Sequence, residues 1–361
     1  MKNTEYLQVE CDNWSERNGV ASSAGPAPSF SSNYASTKKI MCVGLICLDI
    51  LNYIDEYPTE DSDVRCSAQV WSMGGNAVNN CTVLSQLSQS TPTFLGVLAR
   101  DHTQQFLIQE LKSVFLATQH LPVRDRAKMP VSVAIISGKK GTRTIIHAAN
   151  DLKELTFEEF KAFFQKKGNE ISSYGWIHFE GRNIAETRKM MDYVEQERRR
   201  RKIAIKVSVE LEKVDKQLCD LIPGADVVFI SSSFALSYGF KDMEQAVKGM
   251  AGWEGLGSNT MIVCPWGDKG AAGISVSAPT KVFKCPGFPP KEIVDTLGAG
   301  DAFIAGCIHA LNRAKPLDKA LEFGCTLAGV KIGVRGLKDL ALHMVNSKKF
   351  KWSANVMLST L

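Results

Sequence analysis

The chain has 361 residues, 44% of them hydrophobic, with 43 basic against 38 acidic side chains and a formal net charge of +5. So small an excess, scattered except for Arg198 to Lys202, speaks against a dedicated nucleic-acid surface, although it suits a polyphosphate ligand. The composition excludes a fibre or a wholly disordered chain and leaves an ordinary globular protein.

Ten cysteines stand at irregular spacing with no Cys-x-x-Cys pair. Cys42, Cys47, Cys264, Cys307 and Cys325 lie inside apolar runs, as small buried hydrophobes of a reducing compartment do. The six histidines form no metal-spaced cluster. No apolar run is long enough to span a membrane. The N-terminal stretch has no hydrophobic signal core, and Glu5, Glu10, Asp12 and Glu16 do not suit a mitochondrial presequence, so the expected compartment is the cytosol.

In chain order, residues 1 to about 38 are polar and rich in Ser, Asn, Ala and Pro. They cannot bury enough apolar area to offset chain entropy and read as a disordered tail. Lys39 to Asp49 is a near-continuous apolar run, suited to a central parallel strand buried on both faces. Asp49 would stand at its C-terminal end, where open α/β sheets keep ligands, or serve as a turn former. From Ile50 to about Trp71 the texture turns to short polar and β-branched stretches broken by Tyr57-Pro58. Gly74-Gly75-Asn76 then opens a helix from Ala77 to about Leu87. Asn76 and Asn79 share one side of its first turn. Two amides beside a glycine are good partners for sugar hydroxyls, since each both donates and accepts; a capping and a solvated Asn are the plainer alternative.

Thr93 to Leu98 reads as a strand and Thr103 to Phe115 as an amphipathic helix. Met129 to Ile136 and Thr142 to Ala148 are joined by Ser137-Gly138-Lys139-Lys140-Gly141, a hairpin signal. Together with the extended pieces after Ile50 they predict a small β-lid, over about residues 50–71 and 128–148. Arg143 follows the turn, placed either to swing over a nucleotide's phosphates or to sit in solvent. Strands are then expected at Trp176 to Asn183, Ile203 to Leu211, Ala225 to Ile230 and Thr260 to Cys264, with helices at Glu186 to Arg200 and Asp242 to Ala251. Arg198 to Lys202 close a helix where positive charge favours the dipole. Such alternation predicts a mostly parallel sheet with helices on both faces, an α/β/α three-layer sandwich. A further helix is expected from Leu317 to Ile332, and residues 343–361 read as a mildly basic tail.

The chemistry is expected at Ile293-Val294-Asp295-Thr296-Leu297-Gly298-Ala299-Gly300-Asp301-Ala302-Phe303. A glycine turn feeding a helix N-terminus exposes unpaired N–H groups, adds the positive end of the dipole and lets an anion come close. Asp301 there is either an N-cap worth about 1 kcal/mol or a general base beside a site for transferred phosphate.

The string Asp295 to Phe303 resembles the C-terminal signature of the ribokinase-type (PfkB) sugar kinases. Five stretches resemble the ketohexokinase (hepatic-type fructokinase) group within them: Tyr57 to Cys66, Gly74 to Asn79, Trp176 to Asn183, Val207 to Lys213 and Phe323 to Gly329. The resemblance covers about residues 39 to 340. It implies a ribokinase-like fold in which Gly298, Ala299 and Gly300 hold phosphate and Asp301 is the base. It implies further that Asp49, Gly75, Asn76 and Asn79 bind the ketose, with Asp61 of the partner subunit reaching in from its lid. Arg143 would contact ATP phosphates, while Gly267, Asp268, Lys269 and Gly270 wall the nucleotide site. The implied reaction takes D-fructose and ATP to fructose 1-phosphate and ADP in a lid-clasped homodimer, with neither nucleic acid nor membrane as partner. Mg2+ is implied and a K+ requirement left open.

Two stretches depart from the pattern. Many members carry an Asn-x-x-Glu motif tied to magnesium, where this chain has Ser231-Ser232-Ser233-Phe234, so no protein ligand is assigned to the metal. The loop Pro265 to Gly270 lacks the acidic pair expected before its glycine. Two other readings stay open. One is a related kinase for ribose, adenosine or another ketose. The other is a non-catalytic sugar or nucleotide sensor, against which Asp301 speaks because a binding module has no need of a base.

Overall fold

Among the residues described by the computed structural model, 38–87, 91–139 and 142–346, eight strands make a central sheet. Their order is Phe283–Cys285, Ala271–Ser275, Met261–Pro265, Val227–Ile230, Lys206–Leu211, Tyr174–Glu180, Lys39–Val43 and Thr93–Leu95. The six from Met261–Pro265 onward run parallel. Helices pack on both faces, which is why interior strands such as Val227–Ile230 are apolar and buried at every position. The first two strands in that order pair antiparallel, an edge the sequence pattern did not separate. The helix Phe157–Phe163 was not anticipated either, although Thr156 and Glu159 form a capping box at its start. The tails expected over 1–38 and 343–361 lie outside the described residues, apart from Lys38 and 343–346.

A second sheet of four strands, in the order Ala68–Gly74, Cys47–Ile54, Val131–Ser137 and Thr142–Ala148, forms the lid. Its central pair is parallel and its outer pairs antiparallel. Thr142–Ala148 is exposed throughout, Ile145 and Ile146 included, and Val70 and Trp71 are exposed as well.

The apolar run from Lys39 to Asp49 is not one strand. It breaks at Gly44-Leu45-Ile46, with Lys39–Val43 in the central sheet and Cys47–Ile54 in the lid. Asp49 is therefore the third residue of a lid strand rather than the end of a central one. Ile46 is 0% exposed and Gly44 and Leu45 are half-buried, so hydrophobicity alone gives no sign of the crossing. Two contacts fix it. The Leu45 N–H donates to Glu180 Oε2 at 2.8 Å, and a Cβ on Gly44 would meet that carboxylate at 2.6 Å. The expected strand from Thr93 to Leu98 splits in the same way, and Leu98–Ala99 pairs with Val123–Arg124 in a separate ribbon.

The chain returns from lid to core through Gly75, at φ +112, where an added Cβ would lie 2.3 Å from the Leu45 carbonyl oxygen. Gly75→Ala should therefore lose about 2 kcal/mol or more of stability. Calorimetry should record a lowered Tm, and an unchanged Tm would show that the crossing relaxes freely.

Candidate active site

The helix Asn76–Leu87 starts where the chain re-enters the core, and its first turn faces the C-terminal ends of the central strands. Asn76 and Asn79 both point their amides at carboxylates. Asn79 Nδ2 donates to Asp301 Oδ2 at 2.8 Å, within the buried interior. Asn76 Nδ2 donates to Glu210 Oε1 at 3.1 Å and to Glu212 Oε2 at 2.9 Å. Asp49 approaches from the lid with Cys47 Sγ donating to it at 3.3 Å. Gly74 leaves it room, since a Cβ there would sit 2.1 Å from the Asp49 carboxylate. Burial raises the Asp49 pKa, and its contacts with Cys47 and Ser132 oppose that rise.

Asp301 is not a cap. The helix Ala299–Asn312 begins after Gly298, at φ +78, which makes Asp301 its third residue, and no side chain caps it. The carboxyl group is turned inward instead, 7% exposed. Burial is the main cause that pushes its pKa up to about 8. The Asn79 hydrogen bond opposes the shift, and Glu212, Glu180 and Asp49 add to it. Glu210 is also raised well above the usual carboxylate range, by burial and then by Asp301. Its Oε2 is buried without a hydrogen-bond partner.

Glu180, Glu210 and Glu212 carry no role in the sequence reading. A carboxylate at the end of a buried parallel strand was the available signal, because that is where such sheets form their clefts. Glu180 Oε2 accepts the N–H of Leu45 and of Ala77, at 2.8 and 3.3 Å, while Arg182 Nη1 donates to its Oε1 at 2.9 Å.

One cleft of about 1300 Å³, large enough for a sugar and a nucleotide together, joins these groups to the predicted phosphate turn. It brings together Asp49, Gly75, Asn76, Asn79, Arg143, Gly267, Asp268, Gly270, Gly298, Ala299, Gly300 and Asp301. Lys269 and Asp61, both exposed, are not among its lining residues in this single chain. Arg143 reaches from the lid to the turn, where its Nη1 donates to Thr296 Oγ1 at 2.7 Å. Gly270, at φ +94, brings its loop against Cys285, whose carbonyl oxygen lies 2.0 Å from where a Cβ would be. Among the described residues no group of three or more His, Cys, Asp and Glu is arranged to hold a metal ion. None of their helices is long and apolar enough to cross a membrane.

A ribokinase-like kinase is the class that this sheet, lid and cleft define. Residues 37–343 match the family of pfkB carbohydrate kinases, and the chain belongs to that family of ATP-dependent sugar kinases. It is 35% identical over 305 residues to ketohexokinase of Mus musculus, covering 84% of this chain and 99% of that protein. The fold is similar to that of ribokinase from Giardia lamblia, with a TM-score of 0.73 at 14% identity, over 86% of this chain and 100% of the other. It is also similar to Arabidopsis thaliana ribokinase complexed with ribose and ATP, with a TM-score of 0.69 at 18% identity, over 87% and 99% of the two chains.

The raised Asp301 pKa has a consequence for stability. An acid whose folded pKa lies above its unfolded one costs the native state progressively as pH rises from about 4, and the full cost is reached above about pH 8. Asp301→Asn should thus be more stable than the parent, by a margin that widens across this window and is flat beyond it. Denaturant melts at a series of pH values test this, and a margin independent of pH would show that the carboxyl is not held protonated.

Proposed function

We propose that the protein is an ATP-dependent ketohexokinase that phosphorylates D-fructose at its C1 hydroxyl, giving fructose 1-phosphate and ADP. The observation that carries the chemistry is the buried carboxyl of Asp301, directly after the Gly298-Ala299-Gly300 turn at the N-terminus of the helix Ala299–Asn312. The near full-length similarity to mouse ketohexokinase supports the choice of sugar.

In this reading Asp301 takes the proton of the attacking hydroxyl, and Asn79 keeps its carboxylate aimed. The turn Gly298-Ala299-Gly300 holds the phosphate, and the N–H groups of Gly298 and Gly300, with the helix dipole, stabilise charge on the phosphoryl oxygens. Arg143 adds a mobile positive charge from the lid. Asp49, Gly75 and Asn76 hold the ketose together with Asn79. The Asn76 amide hydrogens are committed to Glu210 and Glu212, which leaves its carbonyl oxygen to accept from a sugar hydroxyl. Gly267, Asp268 and Gly270 border the nucleotide. Glu210, with its unpartnered Oε2, and Glu212 fit a hard cation such as Mg2+ brought in on the nucleotide, where it would neutralise phosphate charge. Exposed apolar residues lie on both sides of the lid, Val70 and Ile145 on the cleft side and Trp71 and Ile146 on the other, and are available to a homodimer in which Asp61 of the partner subunit completes the sugar pocket.

Purified protein with MgATP and D-fructose should release ADP, and NMR should place the new phosphate on C1. Strong turnover of ribose or adenosine with none of fructose would overturn the assignment. Asp301→Asn should lower kcat by about a hundredfold or more. In the parent, kcat/KM should rise with pH toward a plateau above about pH 8, as Asp301 loses its proton; a profile unchanged in Asp301→Asn would remove it from the base role.

A further inference from the structure

Lys331 is 0% exposed, near the C-terminal end of the helix Leu317–Ile332, and its ammonium group is buried with it. Nζ donates to the Asp295 carbonyl oxygen at 2.9 Å, to Asp295 Oδ2 at 2.8 Å and to the Val334 carbonyl oxygen at 3.3 Å. Its three protons are thereby used. Asp295 is equally committed: Oδ1 accepts the Leu297 N–H at 2.9 Å and Oδ2 accepts the Gly336 N–H at 3.0 Å. The N–H groups of Val294 and Asp295 donate in turn to the Ile332 carbonyl oxygen, at 2.8 and 3.2 Å. The backbone just before Gly298 is therefore tied to two other segments through one buried charge pair.

Stability alone gives little reason for such a pair. Taking two charges out of water costs about as much as their attraction returns, and apolar replacements of buried ion pairs are often neutral for folding. What the ammonium provides that a methyl group does not is a fixed position for polar backbone. That backbone leads directly into the phosphate turn, and its Thr296 is the residue that Arg143 contacts from the lid.

We infer that Lys331 is a positioning residue for phosphoryl transfer: by clamping Asp295 it holds the Thr296–Gly300 backbone so that the N–H groups of Gly298 and Gly300 converge on the transferred phosphate. This rests on the kinase reading above. Lys331 touches neither sugar nor nucleotide in this account. It acts through the loop, where displacement of a donor by about 1 Å is enough to cost up to about a hundredfold in rate.

The test compares full-length parent with Lys331→Met and with Lys331→Met/Asp295→Asn. The single variant strands the Asp295 charge, whereas the double variant is neutral and keeps an acceptor for one of the Leu297 and Gly336 N–H groups, the other then facing the amide NH2. The double variant should recover part of the Tm that the single variant loses, and its kcat should stay at least about tenfold down. Its dissociation constant for fructose, by calorimetry, should remain within about twofold of the parent's, and hydrogen exchange should be faster at the amides of Leu297 to Gly300. A purely structural lysine would lower Tm without this split, so a folded double variant with kcat within about twofold of the parent overturns the inference. Failure of both variants to fold would make Lys331 a folding residue and overturn it as well. If the parent turns over no sugar at all, the kinase reading falls instead. The exchange measurement then decides the clamp alone, and unchanged protection at Leu297 to Gly300 overturns it.

Discussion

Five carboxylates, those of Asp49, Glu180, Glu210, Glu212 and Asp301, converge on one cleft, and their mutual repulsion is the constraint to which the rest of the site answers. They cannot all ionise in a partly dehydrated space. Two devices separate them. Asn76 and Asn79, from a single helical turn, place amide donors between them, and Arg182 with two backbone N–H groups takes up the charge of Glu180. What is left over falls on Asp301 and Glu210, the two whose pKa values rise most clearly in this cluster. A carboxyl group with its pKa pushed up to about 8 is thus the product of burial first and of crowding by Glu212, Glu180 and Asp49 second, with the Asn79 hydrogen bond opposing both.

Glu180 links this electrostatic arrangement to the architecture. Its carboxylate receives N–H groups from Leu45, where the chain leaves the core for the lid, and from Ala77, where it has just returned. Both crossings pass so close that Gly44 and Gly75 have no space for a side chain. The lid strand Cys47–Ile54 is in this way set by the same residue that contributes charge to the cleft, and Asp49 on that strand arrives in register with it. Substituting Glu180 would disturb lid attachment and site charge together, which makes it a poor probe of either.

The repeating strands and helices of the core were legible because burial on both faces writes itself as continuous apolar runs and burial on one face as helical periodicity. The turn proposed to hold phosphate stood out for a different reason: Gly298-Ala299-Gly300 with its flanking residues is a long specific string. Asp49 shows where such reading fails. Its strand is buried and its neighbours are apolar, yet the break at Gly44-Leu45-Ile46 depends on Glu180, 135 positions away. Asp301 was left between two roles by the sequence, and a helix start three residues earlier than a cap would need turns it into an inward acid. Glu210 and Glu212 were visible as strand-end residues, but only the fold sets them against Asn76. Nothing in the local sequence marks Lys331, whose partner lies 36 positions back across a helix hairpin.

The charges in the cleft are sorted by position. Acidic groups gather around Asn76, Asn79 and Asp301, where the proposed reaction takes the proton of a hydroxyl. Positive groups gather around the turn: the helix N-terminus itself, Arg143 above it and Lys331 buried behind it. The two sides meet within the few residues between Asp295 and Asp301. A neutral alcohol entering such a field is polarised toward losing its proton on one side, while a polyanion is drawn to the other. Phosphoryl transfer needs that asymmetry, because negative charge has to leave the hydroxyl proton behind and spread onto phosphoryl oxygens. The same asymmetry explains why a loop of glycine and alanine suffices on the anionic side. Side chains there would only keep the phosphate farther from backbone dipoles already aligned by the helix, and Lys331 supplies from beneath the rigidity that such a loop lacks.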